Sequence, residues 1–182
     1  MPLLMVAGLT AAISCNFYKR EIIDLLYLAH APYSSKIFGI LMIGFLFISI
    51  SYLYGTLLTA NNNLRHLNIL AGTTVVVNIT LNLILIPKYQ AYGAAISSLI
   101  SQGFYAIAQV ILAVYLIRIP INNDILIRLG GFLLINLLAG YFTLHIPGWI
   151  PGFSILLVSC LITSLVLGLI RPAELRAILK EK

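Results

Sequence analysis

Six long apolar runs, separated by short loops that hold almost all of the charge, make up nearly the whole of this 182-residue chain. A bilayer's hydrocarbon core is about 30 Å thick, and a helix needs roughly 20 apolar residues to cross it. Residues 37–58, 68–86, 93–117 and 149–170 approach or exceed that length. Residues 125–144 reach it when Arg128 sits near the headgroups and extends its aliphatic stem out of the oil. Residues 2–17 form the shortest run, which reads as a retained span whose beginning is missing from the chain, since no positive charge precedes it as in a secretory signal. A soluble helix normally keeps one polar stripe, and none of these runs has a continuous one. With 61% hydrophobic and 9% charged residues and a mean hydropathy of +1.05, too few polar side chains remain to coat a water-soluble globule. Backbone amides in hydrocarbon must pair within their own segment, so the spans are helices. The alternating segments of ~10 residues that a transmembrane barrel needs do not occur. The expected fold is therefore all-α: a polytopic bundle of six transmembrane helices over 1–170, followed by a basic tail at 171–182.

Loop charge predicts the orientation. Six spans put both termini on one side, and that side carries Arg65, Arg118, Arg128, Arg171, Arg176, Lys180 and Lys182, seven of the 11 basic residues. Lys19, Arg20, Lys36 and Lys88 fall on the other. The positive-inside rule then places both termini in the cytoplasm. The net charge of +6 is mainly this topological signal; the basic residues are scattered over loops and give no basic face for nucleic acid. Cys15 and Cys160 lie inside apolar runs, far apart and away from any metal-ligand spacing.

Pro87 closes the third run and Gly93 opens the fourth, with Tyr89 and Tyr92 at interfacial depth, which predicts a tight extracytoplasmic turn. Pro147, Gly148, Trp149, Pro151 and Gly152 predict another short turn with Trp149 as an interfacial anchor. Between Lys19 and Tyr27, charges alternate with Ile22, Ile23, Leu25 and Leu26; such a segment suits a short helix that lies along the interface or packs on the bundle.

Polar residues inside spans are the default functional candidates in a bilayer. Asn78 and Asn82 share one face of the third span, and Ser98, Gln102, Tyr105 and Gln109 form a stripe along the fourth at spacings of three and four. Two such stripes either line a hydrated cavity or hydrogen-bond each other across a helix interface. Asn136, alone in its span, reads as interhelical glue. All five carboxylates, Glu21, Asp24, Asp124, Glu174 and Glu181, fall in loops or the tail, so no span carries a buried acid of the kind that relays protons or binds coupling cations. They form no loop cluster for a metal or general base, and His30, His66 and His145 are isolated surface residues; neither an enzyme nor a cofactor is expected.

The stretches SYLYGTLLTANNNLRHLNILAG (51–72) and NLILIPKYQAYGAAISSLISQ (82–102), preceded by YKREIIDLLYLAHAPYSS (18–35), resemble the C-terminal half of polysaccharide flippases. These belong to the multidrug/oligosaccharidyl-lipid/polysaccharide exporter superfamily and include the Wzx-type O-antigen flippases. The likeness covers about residues 1–170. Its most specific part is Asn-x-x-Leu-Ile-Pro, a short tyrosine-bearing turn and Gly93-Ala94-Ala95; Leu28 departs from a glycine common in the family.

The resemblance implies one six-helix half of a 12- to 14-helix exporter of the cytoplasmic membrane, needing the missing N-terminal half as partner and membrane lipid as solvent. Its cargo would be a lipid-linked oligosaccharide. Asn78, Asn82, Gln102, Tyr105 and Gln109 are the candidate lumen residues; Arg65, Arg128, Lys36 and Lys88 are candidate contacts for the pyrophosphate, or else ordinary snorkelling anchors. Two alternatives stand beside it: half of a multidrug/cation antiporter of the same superfamily, and a membrane scaffold that transports nothing.

Overall fold

The computed structural model describes residues 2–26, 32–118 and 123–169. Leu28, His30 and the basic tail at 171–182 lie outside the described residues. Among the described residues the chain is all-helical: α1 (Pro2–Phe17), α2 (Lys19–Leu26), α3 (Pro32–Ala60), α4 (Leu64–Ile117), α5 (Asn123–Thr143) and α6 (Trp149–Val166). α3, α4 and α6 are long and apolar enough to cross a bilayer, which supports a membrane protein; the apolar parts of α1 and α5, Leu4–Phe17 and Ile127–Thr143, are shorter.

The helices fall into two compact units, one of α1, α5 and α6 and the other of α2, α3 and α4. In the second, the 54-residue α4 is not a straight rod. A straight helix would hold Asn78 and Ser101 about 35 Å apart. Instead Asn78 Nδ2 donates to Ser101 Oγ at 3.1 Å, and Ser97 Oγ donates to Asn82 Oδ1 at 2.6 Å. The chain therefore folds back on itself at Gln90, whose φ of 52° and ψ of −130° are non-helical. Pro87 cannot donate to the ladder at the end of the first arm. Gly93 meets the Leu85 carbonyl of that arm so closely that no Cβ would fit. The two arms, 64–89 and 91–117, are antiparallel, and the second runs alongside α3: Gly44 lies against Gln102, Gly103 against Phe47 and Gly55 against Gln109.

α3 starts at Pro32, earlier than the apolar run, because proline suits the first helical position and the added turn needs no apolar side chains. It ends on left-handed Asn62 (φ 57°): Asn62 N donates to Thr59 O and Asn63 N to Leu58 O, a Schellman closure that satisfies otherwise orphaned carbonyls. α2 packs on α3 and buries Ile23 while Leu25 and Leu26 stay exposed, so one face packs and the other is open.

In the other unit, α6 begins at Trp149, inside the expected turn, since Pro151 is tolerated in a helix's first turn. Left-handed Gly168 ends it by the same closure, with Gly168 N donating to Leu165 O and Leu169 N to Ser164 O. Asn136 on α5 is fully buried; its Nδ2 donates to Thr163 Oγ1 on α6 at 2.8 Å and to Phe132 O, and its Oδ1 accepts from Ser159 Oγ. Phe17 packs against Gly140, and the Tyr18 ring meets Phe153 edge-on at 5.8 Å.

Candidate functional site

The five candidate lumen residues all lie on α4; the reversal at Gln90 brings Asn78 together with Gln102 and Tyr105, while Asn82 bonds Ser97 and Gln109 lines a separate cavity. Asn78 and Asn82 come from the first arm, and their amides close a hydrogen-bonded ring with the second. Ser97 Oγ donates to Asn82 Oδ1, Asn82 Nδ2 to Asn78 Oδ1, Asn78 Nδ2 to Ser101 Oγ, and Ser101 Oγ to Ser97 O. Each such bond between helices in a membrane contributes about 0.6 kcal/mol on average. The ring leaves each amide with one further donor. Asn78 also lines a cavity of about 250 Å³ with Thr74, Ser98, Ser101, Gln102 and Tyr105.

Gln102, Tyr105 and Gln109 turn toward α3. The missing Cβ at Gly44 lets the Gln102 amide approach the α3 backbone, since a Cβ there would stand 2.7 Å from its Oε1. Tyr105 and Gln109 line a second cavity of about 540 Å³ between the second arm and α3, with Ser51, Tyr52, Thr56 and Thr59 opposite. Tyr105 is common to both cavities. Gln109 is 1% exposed, and its Oε1 is buried without a hydrogen-bond partner. A buried acceptor left unpaired costs about 1–3 kcal/mol, so this atom is a destabilising feature that the fold retains at the cavity wall.

The α3 hydroxyls were not among the sequence candidates. Tyr52, Thr56 and Thr59 are spaced by four and three, which is one helical face, so the signal was present in the second run and the residue that follows it. Ser97 and Ser101 likewise stand one position off the Ser98–Gln102 stripe; that single step lets them bond the amides of the first arm, and Ser101 also lines the cavity beside Ser98 and Gln102.

The cations are dispersed. Arg65 is exposed on the first turn of α4, beside the end of α3. Lys36 is exposed near the start of α3, and Lys88 is exposed at the α4 reversal. Arg128 belongs to the other unit, where its Nη1 donates to Leu167 O at 3.1 Å and so places a cation at the C-terminal end of α6. Lys88 shares a recess with Tyr33, Tyr89, Gln90 and Tyr92, whereas none of Arg65, Lys36 and Lys88 lines the two cavities that hold the amides. His66 borders an apolar cleft between the arms, with Ile69, Leu70, Ile111 and Leu112. No family model matches the chain, and the comparisons with curated proteins and with solved structures found no match.

Proposed function

We propose that this chain is one half of a flippase-type transporter that carries lipid-linked oligosaccharide across the cytoplasmic membrane for cell-envelope polysaccharide synthesis. In this reading six helices cross the bilayer, both termini lie in the cytoplasm, and a second six-helix bundle completes the pathway. The observation that carries it is the cavity between α3 and the second arm of α4, where Ser51, Tyr52, Thr56, Thr59, Tyr105 and Gln109 bring hydroxyls and an amide to an otherwise apolar wall.

A sugar chain cannot enter hydrocarbon without exchanging its water for other hydrogen-bond partners, because each unpaired polar group there costs several kcal/mol. Hydroxyls act as donor and acceptor, so they re-pair with sugar hydroxyls in many orientations. The Gln109 amide, at the wall of that cavity, meets a sugar hydroxyl once its side chain turns outward, and Tyr105 continues the path toward Gln102 and Asn78. Rocking of one bundle against the other opens the path to one leaflet at a time. Lys36, Lys88 and Arg65 meet the pyrophosphate near the span ends, and the polyprenyl tail stays in lipid. Hydroxyl and amide linings suit a polyhydroxylated cargo better than a cation, which favours this reading over drug or cation antiport.

The test uses the protein assembled with its partner bundle in proteoliposomes. Gln102→Ala and Gln109→Leu should each lower translocation of a fluorescent lipid-linked oligosaccharide at least fivefold, about the effect of one lost hydrogen bond of ~1 kcal/mol. Unchanged translocation in both variants overturns the reading. Loss of dye transport in these variants with oligosaccharide translocation unchanged would point to the antiporter instead.

A further inference from the structure

At the α4 reversal, Tyr33, Lys88, Tyr89, Gln90 and Tyr92 border an open recess of about 310 Å³, at the small end of ligand sites, which run from about 300 Å³ upward. Its geometry is set by bonds within the protein. Tyr33 Oη donates to Tyr89 O at 2.9 Å and accepts from Tyr92 N at 3.1 Å, so one hydroxyl from α3 clamps the backbone on both sides of Gln90. The Tyr33 and Tyr92 rings stand 6.5 Å apart at 43°, which makes a splayed aromatic wall. A tyrosine serving only as an interfacial anchor keeps its hydroxyl for headgroup water. The Tyr33 hydroxyl is instead spent on the backbone, and that fixes where its ring points.

Gln90 supplies a second, independent observation. Its φ of 52° and ψ of −130° match the first central position of a type II′ turn, a place that strongly favours glycine. Glutamine stands there, and the residue borders the recess. Strain of this kind persists where a side chain has a use. Among the described residues the recess is also lined by Lys88 and by no carboxylate.

We infer that this recess binds a hexopyranose ring bearing a negative charge. The ring's C–H face lies against the electron-rich tyrosine faces, the Gln90 amide bonds a ring hydroxyl, and the Lys88 ammonium pairs with a phosphate or carboxylate on the sugar. The proposal deepens the transport reading by naming the cargo chemistry met at this end of α3 and α4, and it rests on that reading for the source of the sugar. The Tyr33 and Tyr92 rings are oriented beforehand, so binding orders little of the protein.

The test uses the full chain in detergent, with glucose 6-phosphate as probe, glucose and inorganic phosphate as comparators, and saturation-transfer NMR as readout. Glucose 6-phosphate should bind with saturation on its ring C–H protons. Lys88→Gln should weaken it about tenfold and leave glucose unaffected, and Tyr89→Ala should weaken both sugars about fivefold. Gln90→Gly separates a binding role from a turn role: it should raise Tm by about 2–4 °C through relief of the backbone while weakening glucose 6-phosphate at least threefold. Absence of binding, full competition by equimolar inorganic phosphate, or a stabilised Gln90→Gly protein that binds as before each overturns the proposal. Melting curves of every variant identify any that fail to fold; for those, Tyr89→Leu, which keeps bulk without the ring, takes the place of Tyr89→Ala. Sugar binding without translocation would retain this site and remove the transport reading, and translocation without sugar binding would do the reverse.

Discussion

Gln109 and Asn136 are both buried amides on long apolar helices, and their surroundings give them opposite roles. Asn136 has partners at both ends of its amide, on α5 and α6. Gln109 keeps an unpaired Oε1 beside a cavity. Replacing a satisfied amide with an apolar side chain loses its bonds, whereas replacing an unsatisfied one removes a penalty. Asn136→Leu should therefore cost about 1–2 kcal/mol, and Gln109→Leu should gain about 1 kcal/mol; thermal unfolding in detergent measures both. A stabilised Gln109→Leu protein with impaired translocation would be the mark of a residue kept for use. That amides occupied these spans was legible from the chain, because each interrupts an apolar run. Which were satisfied was not legible, since it depends on whether the facing residue is Thr163, as for Asn136, or Gly55, as for Gln109.

The reversal within α4 shows how two local signals define an element. Pro87 and Gly93 marked the turn in the sequence, and the strained residue between them, Gln90, carried no signal because glycine is the residue expected there. Gly93 is needed for close approach: a Cβ would enter the space of the Leu85 carbonyl, which is backbone and cannot swing aside. Gly93→Ala should destabilise the second unit by about 2–3 kcal/mol, read as increased protease cleavage near the turn and a lower Tm. Gly44→Ala meets only the movable end of Gln102 and should cost much less. Helix starts were harder to read than helix ends. α3 and α6 both begin around prolines that serve equally in turns and in first helical turns, and hydrophobicity alone does not separate the two uses.

At the scale of the whole chain, the decisive quantity is apolar surface left uncovered. Leu83 is 72% exposed, Ile127 71% and Val166 78%, on three different helices, far beyond the scattered apolar residues of a soluble surface. The protein should therefore sediment with membranes and remain there after alkaline carbonate washing; release into the supernatant as a monomer would contradict the apolar-span reading. The two units also differ in how the chain builds them. Lys19–Ile121 is one continuous stretch, whereas the other unit joins Met1–Tyr18 to residues from Asn122 onward. During synthesis the continuous unit is complete while α1 still waits for partners that the ribosome has not yet made. Closing so long a loop carries only a logarithmic entropy cost, but it imposes an order of events. Early in biogenesis α1, with its buried Ser14 and Val6 still uncovered, is the segment that insertion machinery must shelter.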